Sequence, residues 1–167
     1  MSILTQKTIA RKNSIKGVGI HTGIDVRLDI FPAQPNTGII FKRTDLKKNN
    51  IILPTYNNVT DATLCTTISN DYGVKVSTIE HLMGALYGLG IDNAIVELNS
   101  QEVPIMDGSA KQFVELILQA GIQVSEAPIK LIKINRKVEV KEGNKNISID
   151  KSNVSLDIDF EIKYQNP

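Results

Sequence analysis

No disulfide can form within this 167-residue chain, because it holds a single cysteine, Cys65. A lone thiol fits a reducing compartment and leaves the core without covalent staples. Tryptophan is absent and Phe and Tyr number four each, too few for the stacking platforms that hold single-stranded nucleic acid. The 19 Lys+Arg and 18 Asp+Glu nearly cancel to a net charge of +1, which supplies no electrostatic reason to expect nucleic acid or an anionic membrane. The densest basic cluster, Lys42-Arg43 to Lys47-Lys48, reads as a solvated loop. No apolar run approaches the ~20 residues of a membrane span. The N-terminus, Met1-Ser2-Ile3-Leu4-Thr5-Gln6-Lys7, lacks the apolar h-region of a signal peptide. The expectation is a cytoplasmic protein with no membrane span and no nucleic-acid partner. Histidine is scarce too: only His21 and His81.

What is present is an ordinary globular composition, 41% hydrophobic and 22% charged, enough for one sizeable core or one domain plus part of another. The most informative stretch runs from Val76 to Gly90. Ile79, Leu82, Met83 and Leu86 follow the i, i+3, i+4, i+7 rule of an amphipathic helix. Ser77 followed by Glu80 reads as a capping box, and Gly90 as the stop. Glu80 and His81 point away from the apolar stripe, beside Gly84 and Gly88, which are too small to cover them. Two readings stand on this stretch alone. Glu80 closes a cap and His81 is a satisfied histidine, or the pair serves metal chemistry, with imidazole as ligand and carboxylate as proton acceptor.

Along the chain, residues 6–12 and 14–20 read as short strands that lead into Gly17-Val18-Gly19-Ile20-His21-Thr22-Gly23. That piece is either a plain hairpin turn or a loop offering His21 and free backbone amides to a ligand. Ile24 to Phe31 alternates as a half-buried strand. Strands are also expected at 38–43, 62–69 and 92–99, with a loop at 32–38 and an exposed polar stretch at 44–50. A second helix spans about Ala110 to Ala120, with Phe113, Leu116, Ile117 and Ala120 inward, Gly121 as its stop, and Asp107 or Ser109 as its cap. After Gly121 the texture changes. Ser125-Glu126-Ala127-Pro128 reads as a linker, and only strands follow: 129–140, a turn at Glu142-Gly143-Asn144, 146–150, and an alternating run at 155–164. That meander carries an apolar face with no helix to cover it.

Five segments in series resemble one family, the zinc-dependent UDP-3-O-acyl-N-acetylglucosamine deacetylases of lipid A biosynthesis. They are Gly17–Gly23, Asn36–Leu46, Ala62-Thr63-Leu64-Cys65-Thr66, Val76–Leu82 continuing into Gly88–Asn93, and Pro104-Ile105-Met106-Asp107-Gly108-Ser109. Their order and spacing match the N-terminal half of that family. The resemblance implies an α+β fold: a two-layer domain of a sheet and two helices, half of a β-α-α-β sandwich, over residues 1–126. The first strands of a second, similar and incomplete domain would fill 127–167.

The same resemblance implies that Glu80 is the general base and His81 a zinc ligand, with Leu64, Cys65 and His21 lining the substrate site. The substrate would be an acylated UDP-sugar, water would attack its N-acetyl carbonyl, and amine and acetate would leave. The cofactor would be Zn2+. The family's other ligands, a histidine and an aspartate four residues apart, would lie beyond residue 167 in a missing C-terminal half. The chain therefore reads as a truncated piece, inactive alone, since one imidazole holds zinc poorly beside a three-ligand site. Peripheral membrane contact stays open. A non-catalytic sugar-nucleotide-binding or interaction module of the same fold is the alternative. A serine hydrolase built from Ser109, Asp107 and His21 is disfavoured, because no G-x-S-x-G elbow is present.

Overall fold

The computed structural model describes residues 4–152 and 157–163. The chain divides into two compact units, Met1–Ile129 and Lys130–Pro167.

The first unit is built on a five-stranded sheet. Its strands are β2 (Asn13–Val18), β3 (Asp25–Pro32), β4 (Ile39–Arg43), β5 (Ile51–Ile52) and β9 (Ala94–Leu98), in the spatial order β2-β3-β9-β4-β5. All neighbours run antiparallel except β4 and β9, which are parallel. The period of two does what the sequence predicts. Val26, Leu28 and Ile30 of β3 and Ala94, Val96 and Leu98 of β9 turn inward to the core. Two smaller sheets flank it. One has the order β6 (Val59–Asp61), β7 (Thr67–Ser69), β8 (Lys75–Val76); the other pairs β1 (Thr5–Ile9) with β10 (Ile122–Pro128).

Helices α1 (Glu80–Gly88) and α2 (Lys111–Ala120) pack on each other, and α2 also packs on β2. Their inward residues join the sheet's in one core: Leu82, Ala85 and Leu86 from α1, and Phe113, Leu116, Ile117 and Ala120 from α2. Ile79 is buried just ahead of α1, and Met83 packs at the edge of the core, completing the predicted stripe. The α+β, two-layer, two-helix reading is thus observed.

The start of α1 is not the predicted one. Ser77 makes no cap. Its amide and hydroxyl donate to Gln101 O, its carbonyl accepts from the Val103 amide, and it forms an isolated parallel bridge with Glu102. Tertiary pairing has taken the groups a capping box needs, and Glu80 stands in the first turn without closing one. Nine residues are too few for a helix to persist in water unaided. Burying Leu82 and Leu86 is worth roughly 1.5–3 kcal/mol each, which outweighs a missing cap worth about 1 kcal/mol. The far end is as expected. Gly90 takes φ +68°, its amide donates to Tyr87 O, and the Ile91 amide donates to Leu86 O, the paired bonds of a Schellman stop.

Four other expectations are corrected. Within 62–69 only Thr67–Ser69 is strand. The Asp61 carboxylate accepts the Thr63 amide and hydroxyl at 2.9 and 2.7 Å, turning the chain away from a ladder. Ser125–Pro128 is no linker. It belongs to β10, with Pro128 opposite Thr5, and Gln6 donates to Pro128 O; proline is tolerated there because it ends the strand. In the second unit the strand expected from residue 129 begins only at β11 (Val138–Glu142), which pairs with β12 (Lys145–Ile149) across the expected turn. Val138 faces Ile149 and Val140 faces Ile147, giving the predicted apolar face. Of the alternating run at 155–164, Asp157–Lys163 is irregular, because alternation makes a strand only where a neighbour supplies ladder bonds. Ser155, Leu156 and Tyr164 lie outside the described residues.

Gly90→Ala should lower the unfolding free energy by about 1–2 kcal/mol, because alanine pays for a left-handed backbone. Ser77→Ala, by contrast, loses one 3.2 Å exposed hydroxyl bond and should cost less than about 0.5 kcal/mol. Chemical denaturation of the two variants checks the order; a larger loss for Ser77→Ala would restore the capping box.

Candidate functional site

Four stretches converge around the start of α1, each fixed by a different local device. The first is α1 itself. Glu80 and His81 are half-buried, and Gly84 and Gly88 beyond them are exposed. A Cβ added at either glycine would meet nothing within 4 Å, so the ground beside the acid and the imidazole is open. The predicted accessibility of this pair is observed. Among the described residues the His81 side chain has no hydrogen-bond partner, and the Glu80 side chain has one.

That one bond ties in the second stretch. Glu80 Oε2 accepts the Thr66 amide at 3.0 Å, so the loop carrying Leu64 and Cys65 is anchored to the acid. Cys65 is half-buried, with its Sγ 3.8 Å from Thr67 Oγ1. Leu64 is 82% exposed, an apolar side chain held out to solvent.

The third stretch is the connection between β2 and β3. It closes through Gly19 N to Ile24 O and Gly23 N to Gly19 O, and His21 at its tip is exposed. The sequence leaves open whether this loop offers free amides to a ligand. The amides are not free. His21 N and Thr22 N donate at 3.0 and 2.9 Å to the carboxylate of Glu102.

Glu102 belongs to the fourth stretch, the passage from β9 to α2, and nothing in the sequence singles it out. Its carboxylate is completely buried. Besides the two amides it accepts the Thr22 hydroxyl at 2.7 Å and the Thr78 hydroxyl at 3.0 Å. Its donors lie 81 and 24 positions away in sequence, so no local motif could have marked it. The only hint was a lone acid between polar residues and Val103-Pro104. Thr78 is itself unusual: buried, β-branched and at φ +58°, a backbone region that such residues avoid. The same passage docks on β2, where the Ile105 amide donates to Val18 O and a Cβ on Gly17 would strike Pro104 and Met106 at 2.9 and 2.8 Å.

The bonds thus join the surroundings of Glu80, His81, Leu64, Cys65 and His21. Asp107 and Ser109 keep the capping and turn role. Asp107 accepts the Ser109 amide and hydroxyl, and Ser109 Oγ accepts the Lys111 amide at the start of α2. Among the described residues no group of three or more His, Cys, Asp or Glu is arranged to hold a metal ion; His81 is a single candidate ligand. No helix among them is long and apolar enough to cross a membrane. Two shallow clefts, of about 280 and 370 Å³, lie elsewhere, lined by residues such as Gln6 and Asn93 or Ser14 and Lys111. They contain none of the predicted site residues.

The model of the family described as "LpxC: UDP-3-O-acyl N-acetylglycosamine deacetylase" matches residues 6–167. The UDP-3-O-acyl-N-acetylglucosamine deacetylases of Haemophilus ducreyi and Pasteurella multocida are each 43% identical over 165 residues, covering 99% of this chain and 54% of theirs. The protein of that name from Actinobacillus pleuropneumoniae serotype 3 is 41% identical over the same span. The chain spans about half the length of the curated relatives it matches.

Burial works against the charge on Glu102, but the His21 amide, the Thr22 hydroxyl and amide, and the Thr78 hydroxyl outweigh it. The carboxyl is held below its ordinary value of 4.5. Because it ionises more readily folded than unfolded, it adds stability above that value, and the contribution is lost as pH falls through the folded pKa. The unfolding free energy should therefore drop on acidification below about pH 4.5, and Glu102→Gln should flatten part of that acid limb. An acid limb of unchanged slope in the variant would contradict this account.

Proposed function

The chain belongs to the LpxC family of UDP-3-O-acyl N-acetylglycosamine deacetylases, and from that membership we propose that it supplies the general base and one zinc ligand of a hydrolase acting in lipid A biosynthesis. The reaction is removal of the N-acetyl group from a UDP-3-O-acyl-N-acetylglucosamine, in the cytoplasm. The observation that carries the reading is the pair at the tip of α1: a carboxylate and an imidazole, adjacent, half-buried and beside two uncovered glycines.

The residues suit the parts assigned to them. The His81 side chain, with no hydrogen-bond partner among the described residues, is available as an imidazole ligand. Zinc, when bound, supplies Lewis acidity toward water and toward the amide carbonyl. Glu80 takes the proton of the attacking water and returns it to the leaving nitrogen. The Thr66 amide fixes one oxygen of Glu80 and leaves the other for that exchange. Cys65 and Leu64, on the loop so anchored, and His21, on the β2–β3 loop, line the substrate. Exposed Leu64, Ile20 and Ile24 suit the acyl part of an amphiphilic sugar nucleotide. A site with one imidazole is a weak zinc site, so this chain by itself holds zinc loosely and turns over slowly or not at all.

The test is made on the complete gene product. Glu80→Ala should reduce kcat by about two to four orders of magnitude with zinc content unchanged, since a proton acceptor is lost and a ligand is not. His81→Ala should lower zinc affinity as well as rate, read by metal analysis after dialysis. Loss of metal in Glu80→Ala with an intact rate per zinc would exchange the two roles. Chelator-insensitive activity would remove zinc from the account, and sugar-nucleotide binding without turnover in a metal-loaded protein would leave a binding module.

A further inference from the structure

One buried carboxylate joins two stretches that flank the reactive pair, and it does so with all its acceptor capacity turned inward. Resting on the deacetylase reading above, we propose that Glu102 is a positioning residue, whose carboxylate sets where the loop carrying His21 stands against the segment Thr78–Glu80.

The bonding pattern needs a carboxylate. Oε1 accepts the His21 amide and the Thr78 hydroxyl, and Oε2 accepts the Thr22 amide and hydroxyl. An ionised carboxylate is acceptor-only and meets all four donors. A carboxamide of the same shape cannot. The two hydroxyls can rotate to accept, but the NH2 group, whichever way it is turned, faces either the His21 amide or the Thr22 amide. One loop amide is then left buried and unpaired, and the loop gains nothing by staying.

Two neighbours show how closely this arrangement is built. A Cβ on Gly19 would run into Glu102 Oε2 and Thr22 Oγ1, so the loop backbone approaches the carboxylate as only glycine allows. Thr78, on the other side, is at φ +58° and 3% exposed. A strained, β-branched residue persists only where its surroundings over-determine it, and its one side-chain bond goes to Glu102. Two residues later the chain places Glu80. The carboxylate, 81 positions from His21 and 24 from Thr78, thus relates the His21 loop to the start of α1.

The experiment uses the complete gene product and an acylated UDP-sugar substrate. Glu102→Gln should raise KM by about tenfold or more, the factor that an unpaired buried amide commands, with a smaller change in kcat and unchanged zinc content. In a His21→Ala background the same substitution should leave KM where it is, because the side chain that the loop presents is already gone. An equal rise in both backgrounds, or no rise in either, would reduce Glu102 to a stability element. Should Glu102→Gln not fold, Thr22→Val removes one donor to the carboxylate, together with the long 3.4 Å bond the hydroxyl accepts from the Ile24 amide. It should raise KM in the same direction by a smaller factor, again abolished by His21→Ala; an unchanged KM overturns the proposal. Amide hydrogen exchange gives a reading free of turnover. The His21 and Thr22 amides should exchange at least about tenfold faster in Glu102→Gln, with those of β3 and β9 unaffected, and continued protection of the two loop amides would refute the proposal. A wild-type protein with no deacetylase activity would sink the reading of the previous subsection while leaving the exchange result intact.

Discussion

Taking a carboxylate out of water costs several kcal/mol unless hydrogen bonds replace its hydration, and Glu102 meets that condition with four donors drawn from two distant stretches. The requirement runs both ways. The acid tolerates burial only if the β2–β3 loop and Thr78 stay beside it, and they are held there by an acceptor that gains nothing elsewhere. The bend that carries the chain from β8 into α1 is a by-product of this exchange. Ser77 is bridged to Glu102 through the backbone, Thr78 is turned left-handed to reach it, and α1 begins directly after.

Around that acid the first unit uses the same economy of polar groups. No buried side-chain nitrogen or oxygen among the described residues lacks a hydrogen-bond partner. Asn93 receives the Gly38 amide and donates to Gln6, which in turn receives the Asn36 amide. Arg43 clasps Asp45 through two nitrogens and gives a third to Lys75 O, pinning β8 just ahead of α1. The guanidinium holds the Asp45 carboxyl below its usual range. These are forks and amides with fixed directions, which specify one arrangement where an apolar filling would tolerate several.

Periodicity made the elements legible and left the connections between them dark. The stripe Ile79, Leu82, Met83, Leu86 and the alternation Val26, Leu28, Ile30 could be read directly, because each residue's fate depends on neighbours within a turn or two of chain. The glycine stop at Gly90 was readable for the same reason. The apparent capping box at Ser77 misled because its groups are claimed by Gln101 and Val103, a pairing that no window of local sequence contains. Ser125–Pro128 looked like a linker because proline and small polar residues mark turns, yet its backbone is spoken for by β1. Of the proposed site, Glu80, His81, Leu64, Cys65 and His21 could be named from a run of motifs. Glu102, Thr78 and Thr66 could not, since what they do is defined by whom they bond.

The parallel pairing of β4 with β9 has a bearing on how this protein is made. β9 lies between β3 and β4, so as the nascent chain leaves the ribosome two hairpins emerge with their inner edges bare. They wait for a central strand some fifty residues later. β1 waits longer still, since its partner Pro128 trails Thr5 by more than a hundred positions. The five-stranded sheet cannot close until β9 has emerged, nor the β1 pair until β10 has, so assembly rests on distant pairings, which make for slow closure. A translating cell would hold such a chain open for seconds, with the apolar halves of its sheet within reach of chaperones.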